Sequence, residues 1–300
     1  MNPPDFIATR GDELVRQLEV YQAMWAMEGL PFGSYQEWTI EERVSQIAGA
    51  GFEGAGISFS NAVFVRRVTQ ELERQDLKWI AICFPQSVRE FEQILELASE
   101  TGLDRLDHVN LQPDVRPFTV LECIPLILGW QDLADQAGVK LHFENHRGRM
   151  TTDLRFTIQL LDALPQIKMT ADLSHFVVGQ EFRFPISDED HALMRRVLER
   201  TWGYHGRVAS REQVQLQHSF AHHQPWLDVF VGWWRQGFQH WRDSAPPGST
   251  LTFMSELGPP GWYAMTGPDG AELSDRWQEA LQLKQLVERL WDELRSEAQA

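Results

Sequence analysis

A single α/β domain, a (β/α)8 barrel of parallel strands with a long C-terminal helix, is the fold that the sequence predicts, and three observations predict it. Eight short runs rich in branched and aromatic residues recur along the chain. Most are followed by a longer amphipathic stretch, the alternation expected of parallel strands whose faces are covered by helices. The 300 residues, 43% of them hydrophobic and twelve of them tryptophan, suffice for one large core, and no Gly/Ser-rich or Pro-rich linker divides residues 1–300.

The first run, LEVYQAMW, ends at Trp25. Thr39 followed by Glu42 is a capping-box pattern for a helix carrying Val44, Ile47 and Ala48, and Gly49 with Gly51 marks the exit into the second run, GFEGAGISF, which ends at Phe59. LKWIAICF to Phe84 and LDHVNLQP to Pro113 supply the third and fourth, and LHFENH, KMTADLSH, TWGYHGRV and LTFMSELG the last four. Between the fifth and sixth, Thr152 or Asp153 caps a helix with Phe156, Leu160, Leu161 and Leu164 on one face until Pro165 stops it. The tryptophan-rich run DVFVGWWRQGFQHW reads as the buried face of the seventh helix. Ser274 is placed to cap the last helix, whose Ala280, Leu283, Val287, Leu290, Trp291 and Leu294 form a helical stripe. The least regular stretches, Gly29 to Trp38, Gln180 to Asp190, Ala209 to Gln224 and Gly258 to Leu273, read as loops that follow strands. In a barrel such loops gather at the C-terminal mouth, where active sites are built.

Composition narrows the function. A formal net charge of −16, from 43 acidic against 27 basic residues, opposes binding to nucleic acid, which depends on Lys and Arg displacing counterions from phosphates. The opening MNPPDFIATRGDELVR carries no leader pattern, and no apolar run reaches the roughly 18 residues that a membrane span needs. Cys83 and Cys123 both sit in apolar surroundings and read as buried reduced thiols, so a cytoplasmic protein that works away from membranes is expected. Neither a phosphate-binding GxxxxGK[ST] loop, a GxGxxG turn after a strand, a GxSxG elbow nor a CxxC pair occurs, and GAGFEGAG runs from helix to strand, the wrong direction for a dinucleotide site.

The last four runs each end with a metal-binding side chain: Glu144, Asp172, His205 and Glu256. They lie too far apart for a local motif, but in a barrel the ends of strands five to eight are neighbours and converge. Three carboxylates and one imidazole form a hard site suited to one Mn²⁺, Mg²⁺, Co²⁺ or Zn²⁺ ion. His146 and His175 follow two of these ligands closely, and Arg207, two residues after His205, should face the same mouth. Trp25, Phe59, Phe84 and Trp262 fall at or after strand ends, where an aromatic face can stack on a sugar ring or pack the barrel top. His218 and His222 have the spacing of two ligands on a helix, but without an accompanying HExxH glutamate they read as histidines of a loop or helix start.

The motifs FENH, ADLSH, YHGRV and SELGPPGW, in that order, resemble those of the xylose isomerase-like (AP endonuclease family 2) TIM-barrel superfamily, and within it the sugar phosphate isomerase/epimerase-like members. The resemblance implies one divalent ion on Glu144, Asp172, His205 and Glu256, with the two glutamates exchanging a substrate proton. It also implies substrate contacts at His175 and Arg207, beside the candidates His146 and Trp25. The expected reaction is isomerisation or epimerisation of a small polyhydroxy carbonyl compound through an enediolate-type intermediate. A dehydratase using the same intermediate, and a barrel that serves only as a binding partner, are the alternatives. Homo-oligomers are common in the resembled family, although no residue here identifies an interface. Two departures stand out. Strands two to four end in Phe59, Phe84 and Gln112 in place of the extra histidines of the endonuclease branch, which argues against DNA repair, and NHRGRM carries Arg147 and Arg149 where ketose epimerases place a further acid.

Overall fold

The computed structural model describes residues 16–298. The leaderless opening read in the sequence therefore lies outside the described residues, apart from Arg16. Eight strands, β1 (Gln17–Ala23), β2 (Gly54–Ser58), β3 (Lys78–Cys83), β4 (Leu106–Leu111), β5 (Leu141–Glu144), β6 (Met169–Ala171), β7 (Thr201–Gly206) and β8 (Thr250–Ser255), form a closed barrel in chain order. Every neighbouring pair is parallel, and β1 closes the ring on β8 with Leu18 opposite Leu251 and Val20 opposite Phe253.

Helices α1 (Ile40–Gly49), α2 (Ala62–Arg74), α3 (Val88–Thr101), α4 (Val120–Ala137), α5 (Leu154–Ala163), α6 (Leu173–Gly179), α7 (Asp188–Leu198), α8 (Gln224–Ser244) and α9 (Arg276–Glu297) cover the barrel. The Thr39–Glu42 capping box is present at α1, each side chain accepting from the other's backbone N–H. Asp153 rather than Thr152 caps α5. The cap of α9 is Asp275 and not Ser274, because its carboxylate reaches the N–H groups of both Trp277 and Gln278. The helical stripe expected of α9 is buried in full.

One feature of the helical layer differs from the sequence reading. β6 is followed by two helices, the short α6 beginning directly after Asp172 and then α7, so the tryptophan-rich run forms α8 and the segment 180–187 connects two helices instead of leaving a strand. The six-residue-or-longer pattern that signals an amphipathic helix is weak in LSHFVVG because five of its seven residues are buried all round.

Strand side chains alternate between two environments. Val20, Trp79, Ala81, Val109 and Phe143 face outward into the main core shared with the helices. Tyr21, Ala23, Ile80, Ile82 and Met254 face inward and form a separate cluster inside the barrel. The opposite side of the lumen is polar and buried: His108 and Asn110 from β4, His142 and Glu144 from β5, Thr170 from β6, and His205 from β7. The lumen is thus half apolar and half polar, and the polar half opens at the strand ends on which the candidate ligands lie.

Two packing devices set the position of those ends. Arg276, 2% exposed, donates to the backbone carbonyls of Ala26, Leu257 and Glu28 and to the Glu272 carboxylate, which ties the segment after β1 to the one after β8. Gly237 lets α8 sit directly on β7, since a Cβ there would lie 1.9 Å from Tyr204 Oη, one residue before His205. Substitution Gly237→Ala gains up to about 1 kcal/mol of helix propensity but meets that clash. We expect a net loss of about 1–3 kcal/mol by urea denaturation; an unchanged midpoint would show that the contact does not constrain β7.

Candidate metal centre

Glu144 is the last residue of β5, Asp172 follows β6 directly, His205 is next to last in β7, and Glu256 follows β8 directly. Barrel closure brings the four together: one ligand atom from each lies within 4.8 Å of all the others, and none of the side chains is more than 5% exposed. Parallel closure in chain order places consecutive strand ends side by side, so no local motif is required.

Each carboxylate is held by neighbours. Asn110 Nδ2 donates to Glu144 Oε2 at 2.6 Å, and Trp25 Nε1 donates to Glu256 Oε1 at 2.9 Å. Asp172 Oδ1 accepts from both the backbone N–H and the hydroxyl of Ser174. Arg207 lies across two ligands, with Nη1 2.8 Å from Asp172 Oδ2 and Nη2 3.0 Å from Glu256 Oε2, while its Nε donates to the Glu256 carbonyl at 2.9 Å. Arg207 therefore faces the mouth as its spacing from His205 implied, but it is engaged by protein carboxylates.

In the middle of the cluster His205 Nδ1 lies 2.8 Å from Glu256 Oε2 and 3.4 Å from Glu144 Oε1, and Glu144 Oε1 has no hydrogen-bond partner. An unpaired buried acceptor is costly, and a cation beside it would satisfy it. The charges agree. Three carboxylates less one guanidinium leave two formal negative charges when His205 is neutral, the form that ligates a metal, and a divalent ion cancels them. Burial works against the imidazolium form of His205, yet Glu144 and Glu256 together hold its pKa well above the ordinary value, so a proton on His205 and a cation compete for the same place. For Glu256, burial pushes the pKa up, but His205 and Arg207 outweigh it and bring the carboxyl down to about 2. The donor set, the unpartnered Glu144 oxygen and the excess of negative charge fit a hard divalent cation, so these four residues can hold one.

The remaining predicted residues divide between the cavity and the wall behind it. A cavity of about 340 Å³ opens beside the cluster and is lined by Trp25, His146, Arg207 and Glu256, together with Phe84, Arg149, Trp262 and Tyr263. His146 Nε2 lies 3.1 Å from Tyr263 Oη. His175 does not line this cavity: it is 1% exposed, packed 3.8 Å from the His146 ring between ring centres, with Nε2 3.5 Å from Asp172 Oδ2. Burial first, then the neighbouring His146 and Arg207, holds its pKa well below the ordinary value, which favours a neutral ring that buttresses Asp172. Phe59 packs in the main core and does not line the cavity. His218 and His222 do not share a helix, and they join no further group of potential ligands among the described residues.

Two residues of the site escaped the sequence reading. Asn110 was signalled by the alternation in β4, where His108, Asn110 and Gln112 interrupt apolar Val109 and Leu111 on one face. Tyr263 carried no signal beyond its place after GPPGW, yet Arg207 lies 4.4 Å and Arg147 5.1 Å from its ring centre.

The class of protein defined so far is an eight-stranded parallel barrel with a buried carboxylate–histidine cluster at its C-terminal mouth. No family model matches the sequence, and no curated protein matches it. Solved structures do share the fold. A xylose isomerase-like TIM-barrel protein from Mycobacterium smegmatis in complex with magnesium aligns with a TM-score of 0.59 at 11% identity, over 93% of this chain and 97% of its own. D-psicose 3-epimerase with D-tagatose, from Clostridium cellulolyticum H10, aligns at 0.55 and 10% identity over 91% and 99%. The probable 3-DHS dehydratase AsbF of Bacillus anthracis aligns at 0.55 and 13% identity over 90% and 98%. The chain has the fold of the xylose isomerase-like TIM barrels, and at these identities the likeness is one of fold. No helix among the described residues is long and apolar enough to cross a membrane.

After reloading with Mn²⁺ and removal of free ion, plasma mass spectrometry should find about one ion per wild-type chain and far less in His205→Ala; equal or negligible binding in both would dismiss the cluster as a metal centre. Arg207→Met leaves buried carboxylates unpaired and should lower the stability of the metal-free protein by about 3–5 kcal/mol. A loss below about 1 kcal/mol in urea denaturation would mean that Arg207 is not what neutralises them.

Proposed function

We propose that this barrel is a divalent-metal-dependent isomerase or epimerase of a small polyhydroxy carbonyl compound. The observation that carries the reading is the placement of Glu144 and Glu256: each has one carboxylate oxygen tied to a neutral donor, Asn110 or Trp25, while the other points into the centre shared with His205. The fold and the activities of its structural neighbours, among them an epimerase, support an enzyme of this type.

Glu144, Asp172, His205 and Glu256 would hold the ion. When bound, the cation supplies Lewis acidity, polarising a carbonyl and offsetting the charge that develops as the neighbouring carbon loses a proton. Glu144 and Glu256 stand on either side of that position as general base and general acid, one removing the proton and the other returning it. Transfer of this kind contributes about 10²–10⁴-fold to rate. Asn110 and Trp25 fix which oxygen of each glutamate is presented. Arg207 keeps Asp172 and Glu256 from rotating away, and with Tyr263 and His146 it lines the cavity beside Glu256.

A dehydratase is the second reading, supported by the fold of the probable 3-DHS dehydratase. The same proton abstraction followed by loss of a β-hydroxyl would give it, and release of water distinguishes the two. A barrel that only binds a partner would give neither reaction.

Incubation of the Mn²⁺-loaded protein with a panel of ketoses and their derivatives in D₂O, followed by mass spectrometry, should reveal solvent deuterium in one substrate class. Glu256→Gln is expected to reduce that exchange, compared per bound ion, at least about 10²-fold while circular dichroism stays close to wild type. Undiminished exchange in the variant with metal retained would rule out Glu256 as the proton carrier.

A further inference from the structure

The outward face of α4 does not suit water. Cys123, Ile127, Trp130 and Ala134 bury one side of this helix against the barrel, yet the opposite side is apolar as well, with Leu121, Pro125 and Leu128 all exposed. Their spacing sets them on one stripe along the helix. Phe118, just before the helix, extends the stripe and is 95% exposed, and Leu121 is 79% exposed. A helix that is apolar all round belongs in an interior, and a contiguous exposed patch of this kind marks a contact surface. The rest of the helical layer is treated differently. Exposed ion pairs join α2 to α1 and α3, α5 to α7, and α8 to α9, whereas no ion pair among the described residues includes a side chain of α4.

The charges at the two ends of the stripe indicate what covers it. Between Glu122 and Asp132 the chain has no charged residue. Glu122 is occupied at the helix start, where its carboxylate accepts from the N–H groups of Phe118 and Thr119. Arg116 stands before the stripe and Asp132 at its far end, both exposed and in no ion pair among the described residues. Asp135, one turn on, is exposed too, and one of its oxygens accepts from Gln131. A second α4 laid antiparallel over the first, about a two-fold axis near Ile124 and Pro125, sets Leu121 against the partner's Leu128 and Arg116 near the partner's Asp132 and Asp135. Each helix then presents its positive dipole end to the negative end of the other. A parallel pairing sets Arg116 against Arg116 and Asp132 against Asp132. The face is thus complementary to itself in the two-fold arrangement, as an isologous dimer requires. Each chain carries a formal charge of −16, so two copies repel over much of their surface, and an uncharged stripe with opposite charges at its ends lets them approach.

We propose that α4 is the interface of a two-fold homodimer, in which Phe118, Leu121 and Leu128 pack against a second copy of this chain and Arg116 pairs with the partner's Asp132. The dimer is independent of the metal centre and of the reaction assigned to it.

Sedimentation velocity of the wild-type protein over a range of about 1 to 100 µM should find a species of twice the mass of one chain. Leu121→Glu sets two acids against the apolar stripe and should weaken dimerisation at least about 10²-fold; an acid in the first turn of a helix favours folding, so circular dichroism should be unchanged. Leu128→Glu should do the same from the other end. Arg116→Asp should weaken the dimer at least about tenfold, because it faces the partner's Asp132. Arg116→Asp combined with Asp132→Arg in one chain should recover most of that loss, since the two-fold brings the exchanged charges together again. A wild-type monomer across the whole range, or a dimer that both leucine variants leave intact, would overturn the interface. A double exchange no tighter than Arg116→Asp alone would overturn the antiparallel register. If either leucine variant unfolds, the charge exchange at two exposed positions decides the matter alone.

Discussion

Three carboxylates, from Glu144, Asp172 and Glu256, are buried within a few ångströms of one another at the mouth of the barrel, and their mutual repulsion and lost hydration must be offset for the strands to close. Desolvation of even one carboxylate costs several kcal/mol, so the surrounding residues are best understood as compensation. Arg207 spans Asp172 and Glu256, Ser174 donates to Asp172, and Asn110 and Trp25 hold the two glutamates. What they leave, with His205 neutral, is two negative charges and an unpartnered Glu144 Oε1 that faces His205 Nδ1. A divalent ion is the simplest object that resolves both.

The same demand explains why the lumen is divided. Polar side chains from β4 to β7 provide the donors that the carboxylates need, whereas Tyr21, Ile80, Ile82 and Met254 fill the other half and exclude water from it. Excluding water lowers the local dielectric and strengthens each interaction at the cluster. The cavity lies along the border between the two halves. Its lining joins Glu256 and Arg207 of the cluster to the aromatic rings of Trp25, Phe84, Trp262 and Tyr263.

Support for the mouth comes from outside the strands. Arg276 reaches from the start of α9 to carbonyls beyond β1 and β8, so the last helix holds in place the segments bearing Trp25 and Glu256. Gly237 does the equivalent for β7 by allowing α8 to approach Tyr204. Neither residue touches the cavity, yet both decide where its walls stand.

Much of this was legible in the linear sequence, because strand and helix periodicity are local properties. The eight apolar runs marked all eight strands, the Thr39–Glu42 pair marked a real capping box, and the stripe from Ala280 to Leu294 marked the buried face of α9. Glu144, Asp172, His205 and Glu256 were legible for a related reason: parallel closure puts strand ends in chain order around a ring, so position along the chain predicts position in space. What the sequence could not supply were contacts that depend on rotamer and on side chains arriving from elsewhere. That Arg207 is shared by two carboxylates, that His175 stands behind Asp172 and off the cavity, that Asn110 serves Glu144, and that Asp275 outcompetes Ser274 for the end of α9 were decided only when burial forced each polar group to find a partner, and that choice is made by the assembled tertiary structure.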